Sequence, residues 1–209
     1  MSDEMTSYIL EALLDDAALE HAYVEGEENG VRGPSPIVGS LLTTLATGAS
    51  QGAVAVTPAA GVVGLHILRG LPEKATLTCI EPEAALQSGA KEAFKLAGHS
   101  PSRTRFLTAQ PASVMSRLAA ETYQLIYLDV SPRELVAIMD EAWPLLTRGG
   151  TLVIADSLLD GTIADPTRRD RETEAARQAD AHADALAQDG ASVVTRLPLD
   201  GGLTLITKR

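Results

Sequence analysis

Three carboxylates in this chain stand at the ends of short apolar runs. Glu81 follows residues 76–80, Asp129 ends 125–129, and Asp156 follows 151–155. A carboxylate at the end of a buried strand can accept ligand hydrogen bonds, hold a proton or take a cation. A fourth run, 53–56, leads into Thr57-Pro58-Ala59-Ala60-Gly61-Val62-Val63-Gly64. Small residues let backbone approach a ligand, and the N–H groups that open a following helix would face it. Pro58 removes one such donor, and Thr57 adds a hydroxyl. A glycine would be expected where Thr57 stands, so the segment is a worn version of a glycine-rich nucleotide-binding turn.

The position of each polar residue narrows its chemistry. Glu81 stands one helix and one strand after the turn, where an acid repels phosphate and suits a ribose diol. It favours NAD, FAD or S-adenosylmethionine over NADP. No Gly-Lys-Ser/Thr occurs, so the turn is not a triphosphate loop. Gln110, followed by Pro111, comes after a run at 105–108. Its amide either reads an adenine edge or is a plain loop amide. Asp129 falls in the switch region of the sheet, a position for a site residue. Asp156-Ser157 puts a second carboxylate on the same edge. The two aspartates could share a hard cation such as Mg²⁺ or serve as helix caps. Two carboxylates without a third protein ligand make a thin site, and no metal is expected. His21, His66, His99 and His182 lie in or beside helical stretches and read as structural or exposed. Cys79, the single cysteine, lies in an apolar run and is expected in the core. No Gly-x-Ser-x-Gly elbow and no zinc-type Cys/His spacing occurs.

These residues need a frame. Residues 6–21 carry Ile9, Leu13, Leu14 and Ala17 at helical spacing. Residues 26–30 read as a polar loop. A second helix follows, with Ser35 as cap, Pro36 in its first turn and Val38, Leu41, Leu42 and Leu45 on one face. The first 50 residues thus read as a helical arm of the same domain, and 51–209 as its α/β body. From residue 53 apolar runs alternate with helical stretches, including 83–97 and 135–146, the latter ended by Gly149-Gly150. That alternation predicts a mostly parallel sheet covered by helices on both faces. Residues 165–188 read as one helix, with Asp165 as cap and Pro166 in the first turn. Two strands follow, 192–197 and 203–207, joined through Asp200-Gly201-Gly202 as a hairpin. The fold class is α/β, Rossmann-like, with a seven-stranded, mostly parallel sheet closed by a C-terminal antiparallel β-hairpin. Five parallel strands and a closing hairpin are a methyltransferase layout rather than a dehydrogenase one.

Composition removes other classes. The chain has 209 residues and a net charge of −11. Such acidity opposes nucleic acid and anionic membranes, both of which reward positive charge. Aromatics are 3% of residues against 45% apolar, so aliphatic side chains must fill the core. No apolar run approaches the ~20 residues of a membrane span. The N-terminal stretch lacks a basic segment followed by an apolar one, so a cytoplasmic protein is expected.

Five segments occur in one order: Ile80-Glu81-Pro82, Tyr127-Leu128-Asp129, then 146–154, 161–166 and 200–209. In these the chain, from about Pro34 onward, resembles the cation-dependent O-methyltransferases. That family is typified by catechol and caffeoyl-CoA O-methyltransferases, and the resemblance is to its bacterial branch. The resemblance implies S-adenosylmethionine as cofactor, lying over the first-strand loop with its ribose on the second-strand acid. Carried onto this sequence, it implicates Thr57, Gly61, Val63, Glu81, Pro82 and Gln110, with Pro58, Pro111 and Asp129 beside them. The departures fall at named positions. The family's acid in strand one aligns with Ala55, its first loop glycine with Thr57, and its metal-binding asparagine with Ser157. Its catalytic lysine falls at Pro132. Arg133 is adjacent but stays charged, which makes it a poor base.

The expected function is S-adenosylmethionine-dependent O-methylation of a small hydroxylated acceptor, with little or no metal dependence and Asp129 nearest the acceptor. The alternative is a methyltransferase fold that has lost catalysis and binds or assembles. A nicotinamide dehydrogenase rests on the turn alone, and the hairpin opposes it. The apolar arm predicts a homodimer, in which it covers the partner or the mouth of the site.

Overall fold

The computed structural model describes residues 3–13 and 16–209. Five strands run parallel: β1 (Gly52–Val56), β2 (Thr76–Ile80), β3 (Thr104–Leu107), β4 (Tyr123–Leu128) and β5 (Leu146–Ile154). β6 (Ser192–Leu197) and β7 (Leu203–Lys208) pair antiparallel, and β7 also runs antiparallel to β5. The sheet order is β3-β2-β1-β4-β5-β7-β6. The chain travels outward from β1 to β3 and then returns to β4 beside β1. That reversal opens a crevice at the carboxyl ends of β1 and β4.

Alternation along the strands divides the core in two. Ala53, Ala55, Leu77, Cys79, Leu125, Tyr127 and Val153 face one layer of helices. Val54, Val56, Ile80, Ile126, Leu128, Leu152 and Ile154 face the other. A period of two on a sheet covered on both sides makes the runs continuously apolar. The first layer holds α2 (Ala17–Glu28), α3 (Pro36–Ala46), α4 (Ala60–Gly70) and α5 (Ala84–Leu96). The second includes α6 (Pro111–Met115), α7 (Pro132–Ala142) and α8 (Arg171–Leu186). The first helix, α1 (Asp3–Glu11), touches α3 and leaves Met5, Tyr8 and Leu10 exposed.

Ser35 caps α3 as expected, accepting the Val38 N–H at 3.3 Å. Four boundaries differ from the sequence reading. The helix predicted over 6–21 is two helices, because Asp16 caps α2 by accepting the N–H groups of Ala18 and Leu19. Leu14 lies outside the described residues. The polar loop predicted over 26–30 is helical as far as Glu28, and Gly30, at φ +70°, follows its end. The helix predicted over 135–146 stops at Ala142, where Trp143-Pro144-Leu145 forms a 3₁₀ turn. β5 therefore begins at Leu146 and runs through Gly149-Gly150, with a bulge against β4 that uses φ +78° at Gly149. The cap of α8 is Asp170, which accepts the Thr173 N–H at 2.9 Å. Asp165 instead holds a local turn by accepting from the Thr167 N–H and hydroxyl. Both aspartates precede a threonine, and only Asp170 opens the helix.

Candidate functional site

The crevice between β1 and β4 is tied by one side chain. Thr57 is 2% exposed, and its Oγ1 donates to Asp129 Oδ2 at 2.9 Å. The same oxygen accepts the Ala59 N–H at 3.0 Å. The residue that replaces a glycine therefore joins the first-strand turn to the fourth-strand acid. The Asp129 N–H also donates to Val56 O at 2.8 Å. Burial raises the Asp129 carboxyl above the usual carboxylate range, and the Thr57 bond partly opposes this.

The turn leads directly into α4, which has no side-chain cap. Its opening N–H groups remain available for a ligand. Pro58 is exposed, Ala59 and Ala60 are buried, and Gly61 is partly open. Val63 does not share that opening. It is fully buried, and its N–H donates to Ala59 O. It supports the helix from within rather than meeting a ligand with its side chain.

Glu81 is 4% exposed at the end of β2. Its Oε1 accepts the Glu83 N–H at 2.7 Å, and its carbonyl accepts from Gln87 Nε2 at 2.6 Å. The second carboxylate oxygen has no partner among the described residues and suits a diol. Burial raises this carboxyl, and the Glu83 N–H opposes the rise. Pro82 follows it, exposed. Gln110 is exposed after the neighbouring strand β3, and Pro111 opens α6.

A cavity of about 590 Å³ has Asp129 in its wall. Asp129, Asp156 and Tyr127 line it from the sheet, Tyr23 and Arg32 from the arm, and Asp200 from the hairpin. The roof is tied down at two points. The Tyr23 hydroxyl donates to Pro34 O at 2.7 Å, and the Ser35 N–H donates to Asp200 Oδ2 at 2.6 Å. Asp156 adopts a left-handed φ of 48°. Burial and the charges of Asp160 and Asp129 push its carboxyl up, while Arg32 pulls it down.

The donor set does not fit a divalent cation. Among the described residues no three His, Cys, Asp or Glu side chains gather for one. Ser157, where the resembled family has asparagine, turns to the hairpin. Its Oγ donates to Gly202 O at 3.1 Å and lies 2.8 Å from the Thr204 hydroxyl. Arg133 pairs with Glu172 of α8. Cys79 is fully buried, and burial pushes its thiol up to about 12. His66 is 4% exposed inside the first helical layer, where burial, chiefly, lowers it to about 4.

Sequence reasoning missed Tyr127, Tyr23, Arg32 and Asp160, and took Asp200 only as a turn residue. Tyr127 was legible in principle. It lies two residues before Asp129 on a strand, so both side chains leave the same face. The others come from segments far apart in sequence and carry no local signal.

A parallel sheet with its reversal at β1/β4, closed by an antiparallel hairpin, defines the class I methyltransferase fold. The comparisons agree. The family model described as O-methyltransferase matches residues 43–209. A Mycobacterium leprae protein named “Putative O-methyltransferase” is 36% identical over 203 residues, covering 97% of this chain and 89% of its own. A Mycolicibacterium vanbaalenii protein of the same name is 35% identical over 204 residues, covering 97% and 88%. The crystal structure of a Corynebacterium glutamicum protein superposes with a TM-score of 0.94 at 51% identity, covering 99% and 96%. The O-methyltransferase TomG of Streptomyces achromogenes, solved with S-adenosylmethionine, shares the fold with a TM-score of 0.84 at 19% identity, covering 100% and 99%. The chain belongs to the O-methyltransferase family. By that membership it is an S-adenosylmethionine-dependent transferase.

Proposed function

We propose that the chain methylates a hydroxyl of a small acceptor seated in the 590 Å³ cavity, with Asp129 as the group nearest the reacting oxygen. The observation that carries this reading is the Thr57–Asp129 hydrogen bond. It holds one carboxylate at the switch point, between the cofactor turn and the cavity. The bound cofactor supplies an electrophilic methyl on sulfur. Held by Thr57, Gly61 and Glu81, the cofactor would pass that methyl to the acceptor oxygen, its sulfur leaving with the C–S electron pair. Asp129 orients the acceptor hydroxyl and takes its proton, and a raised carboxyl is the better base for that step. The rest of the rate comes from positioning, which a methyl displacement rewards.

Thr57, Pro58, Gly61, Glu81, Pro82, Gln110 and Pro111 form the cofactor side, with the free Glu81 oxygen on the ribose. Little or no metal dependence follows for this reading, since among the described residues no three His, Cys, Asp or Glu side chains gather around one point. The protein acts in the cytoplasm, in keeping with its acidic charge and its single buried thiol. Two copies associate through the arm, where Met5, Tyr8 and Leu10 are exposed. Light scattering that gives a clean monomer would end the dimer reading. Calorimetry with S-adenosylhomocysteine tests the cofactor side, and no uptake at millimolar ligand would end the whole proposal. A fold that binds without turnover is the second reading, favoured by Ala55 and Pro132 in place of an acid and a lysine. Binding with no methylation across a broad phenol panel would select it.

A further inference from the structure

The charge on the cavity wall is lopsided. Glu27, Asp129, Asp156, Asp160 and Asp200 line it against a single cation, Arg32. The ion pairs found among the described residues all lie elsewhere. Asp129 and Asp200 each accept one hydrogen bond, from Thr57 and from the Ser35 N–H. The Glu27, Asp156 and Asp160 carboxylates accept none among the described residues. A concave, low-dielectric wall of one sign concentrates counter-charge.

A second observation points into the same space. Tyr127 is 1% exposed and lies on the cavity wall, yet its hydroxyl has no hydrogen-bond partner among the described residues. Burial above all, and then the charges of Asp129, Asp200 and Asp156, raise its ionisation well above the usual phenol value. The hydroxyl is therefore neutral and faces those acids. The hydroxyl belongs to a residue of the cavity wall, where a ligand oxygen can meet it. The carboxylates are spread around a volume suited to a small organic molecule rather than gathered on a point.

We infer that the acceptor is a hydroxylated compound bearing a positive charge, such as an ammonium group. Glu27, Asp156, Asp160 and Asp200 hold the charge, and the Tyr127 hydroxyl meets the acceptor hydroxyl beside Asp129. This rests on the methyltransferase reading and names its substrate class. Tyr23 adds an aromatic ring to the same wall, a further partner for a cation.

The test uses tyramine, tyrosol and 4-hydroxyphenylacetate, which share a phenol and end in an ammonium, a neutral hydroxyl and a carboxylate. Each is titrated by calorimetry into protein saturated with S-adenosylhomocysteine, whose sulfur is uncharged. Tyramine is expected to bind at least about fivefold tighter than tyrosol, with the acid weakest and the preference shrinking as salt is added. Asp160→Asn and Glu27→Gln, both at exposed positions, should each reduce the tyramine-to-tyrosol ratio while leaving the melting temperature near the parent's. Tyr127→Phe should weaken all three ligands alike, because they share the hydroxyl. Tyrosol or the acid binding as tightly as tyramine would overturn the inference. So would no binding by any of the three, or a ratio unmoved in both carboxylate variants. Tight Mg²⁺ uptake at these acids without an amine preference would also overturn it. Failure to take up S-adenosylhomocysteine instead strikes the methyltransferase reading, and the same series is then decided on the free protein.

Discussion

The two sides of Asp129 are built in opposite ways. On the proposed cofactor side, Thr57, Glu81 and the start of α4 belong to consecutive strand ends, and Thr57 and Glu81 each accept a backbone N–H from two residues on. On the cavity side, the wall is assembled from the arm, β4, the loop after β5 and the hairpin, and most of its carboxylates are unpaired. A ligand that every member of a family shares can be held by local turns. A ligand particular to one member is met by whatever distant segments bring to the same mouth. In this molecule the arm and the hairpin are joined by Asp200 and Ser35, so the variable side is also a closed one.

Asp129 is the hinge of that comparison, and its loss should have the largest effect. Asp129→Asn is expected to lower kcat on the order of 100-fold while S-adenosylhomocysteine affinity changes little. Equal losses in turnover and in cofactor affinity would show that the two sides are not separable there.

The cofactor side rests on a core that acid should loosen. His66 lies in α4, and neither ring nitrogen has a hydrogen-bond partner. A Cβ built on Gly39 of α3 would collide with its ring, so the site cannot expand without moving a helix. Burial and, secondarily, the Arg69 charge lower its pKa to about 4, with Asp16 opposing. The unfolded chain takes up this proton near 6.5 and the folded chain only near 4. The stability contribution is complete above pH 6.5, falls as pH drops through that window and levels off below 4. The loss should be about 3 kcal/mol, read from urea melts across pH. His66→Leu should flatten that limb, and an unchanged limb would place the acid sensitivity elsewhere.

Glu81→Gln should weaken S-adenosylhomocysteine binding about tenfold, since a charged acceptor for the ribose becomes a neutral one. It should leave binding of phenols in the cavity untouched. A change in phenol binding would mean the two sides share Glu81.

Thr57→Val sharpens the boundary itself. The Thr57 hydroxyl stabilises ionised Asp129, so its removal raises that carboxyl further. The acid limb of kcat/KM should move to higher pH. A limb that stays in place would show that Asp129 is not the titrating group. The smallest effect is expected from metal removal. Exhaustive chelation should leave turnover unchanged, and restoration of lost activity by Mg²⁺ would return the two aspartates to a metal role.

Much of the fold was legible because its signals are local. Apolar runs at 53–56, 76–80 and 192–197 coincide closely with β1, β2 and β6, and Ser35-Pro36 opens α3 as read. Helix ends were less legible where two candidates compete, as Asp165 and Asp170 do before α8. Glycines misled at 149–150, where they form a bulge within β5 instead of ending a helix. Of the candidate site, Glu81 and Asp129 could be placed from strand ends alone. The role of Thr57 could not, because its bond crosses 72 residues of sequence to Asp129.

The sequence by itself determined the alternation of strands and helices, the acids at the strand ends and the membership in a family. Those depend on periodicity, turn chemistry and short segments, which neighbouring residues encode. Only the tertiary structure decided that a threonine in place of a glycine would tie two strands together. It alone also decided that five carboxylates and Tyr127 would surround one cavity. Such groups meet through long-range packing, and their charges acquire meaning only at the distance and burial that packing sets.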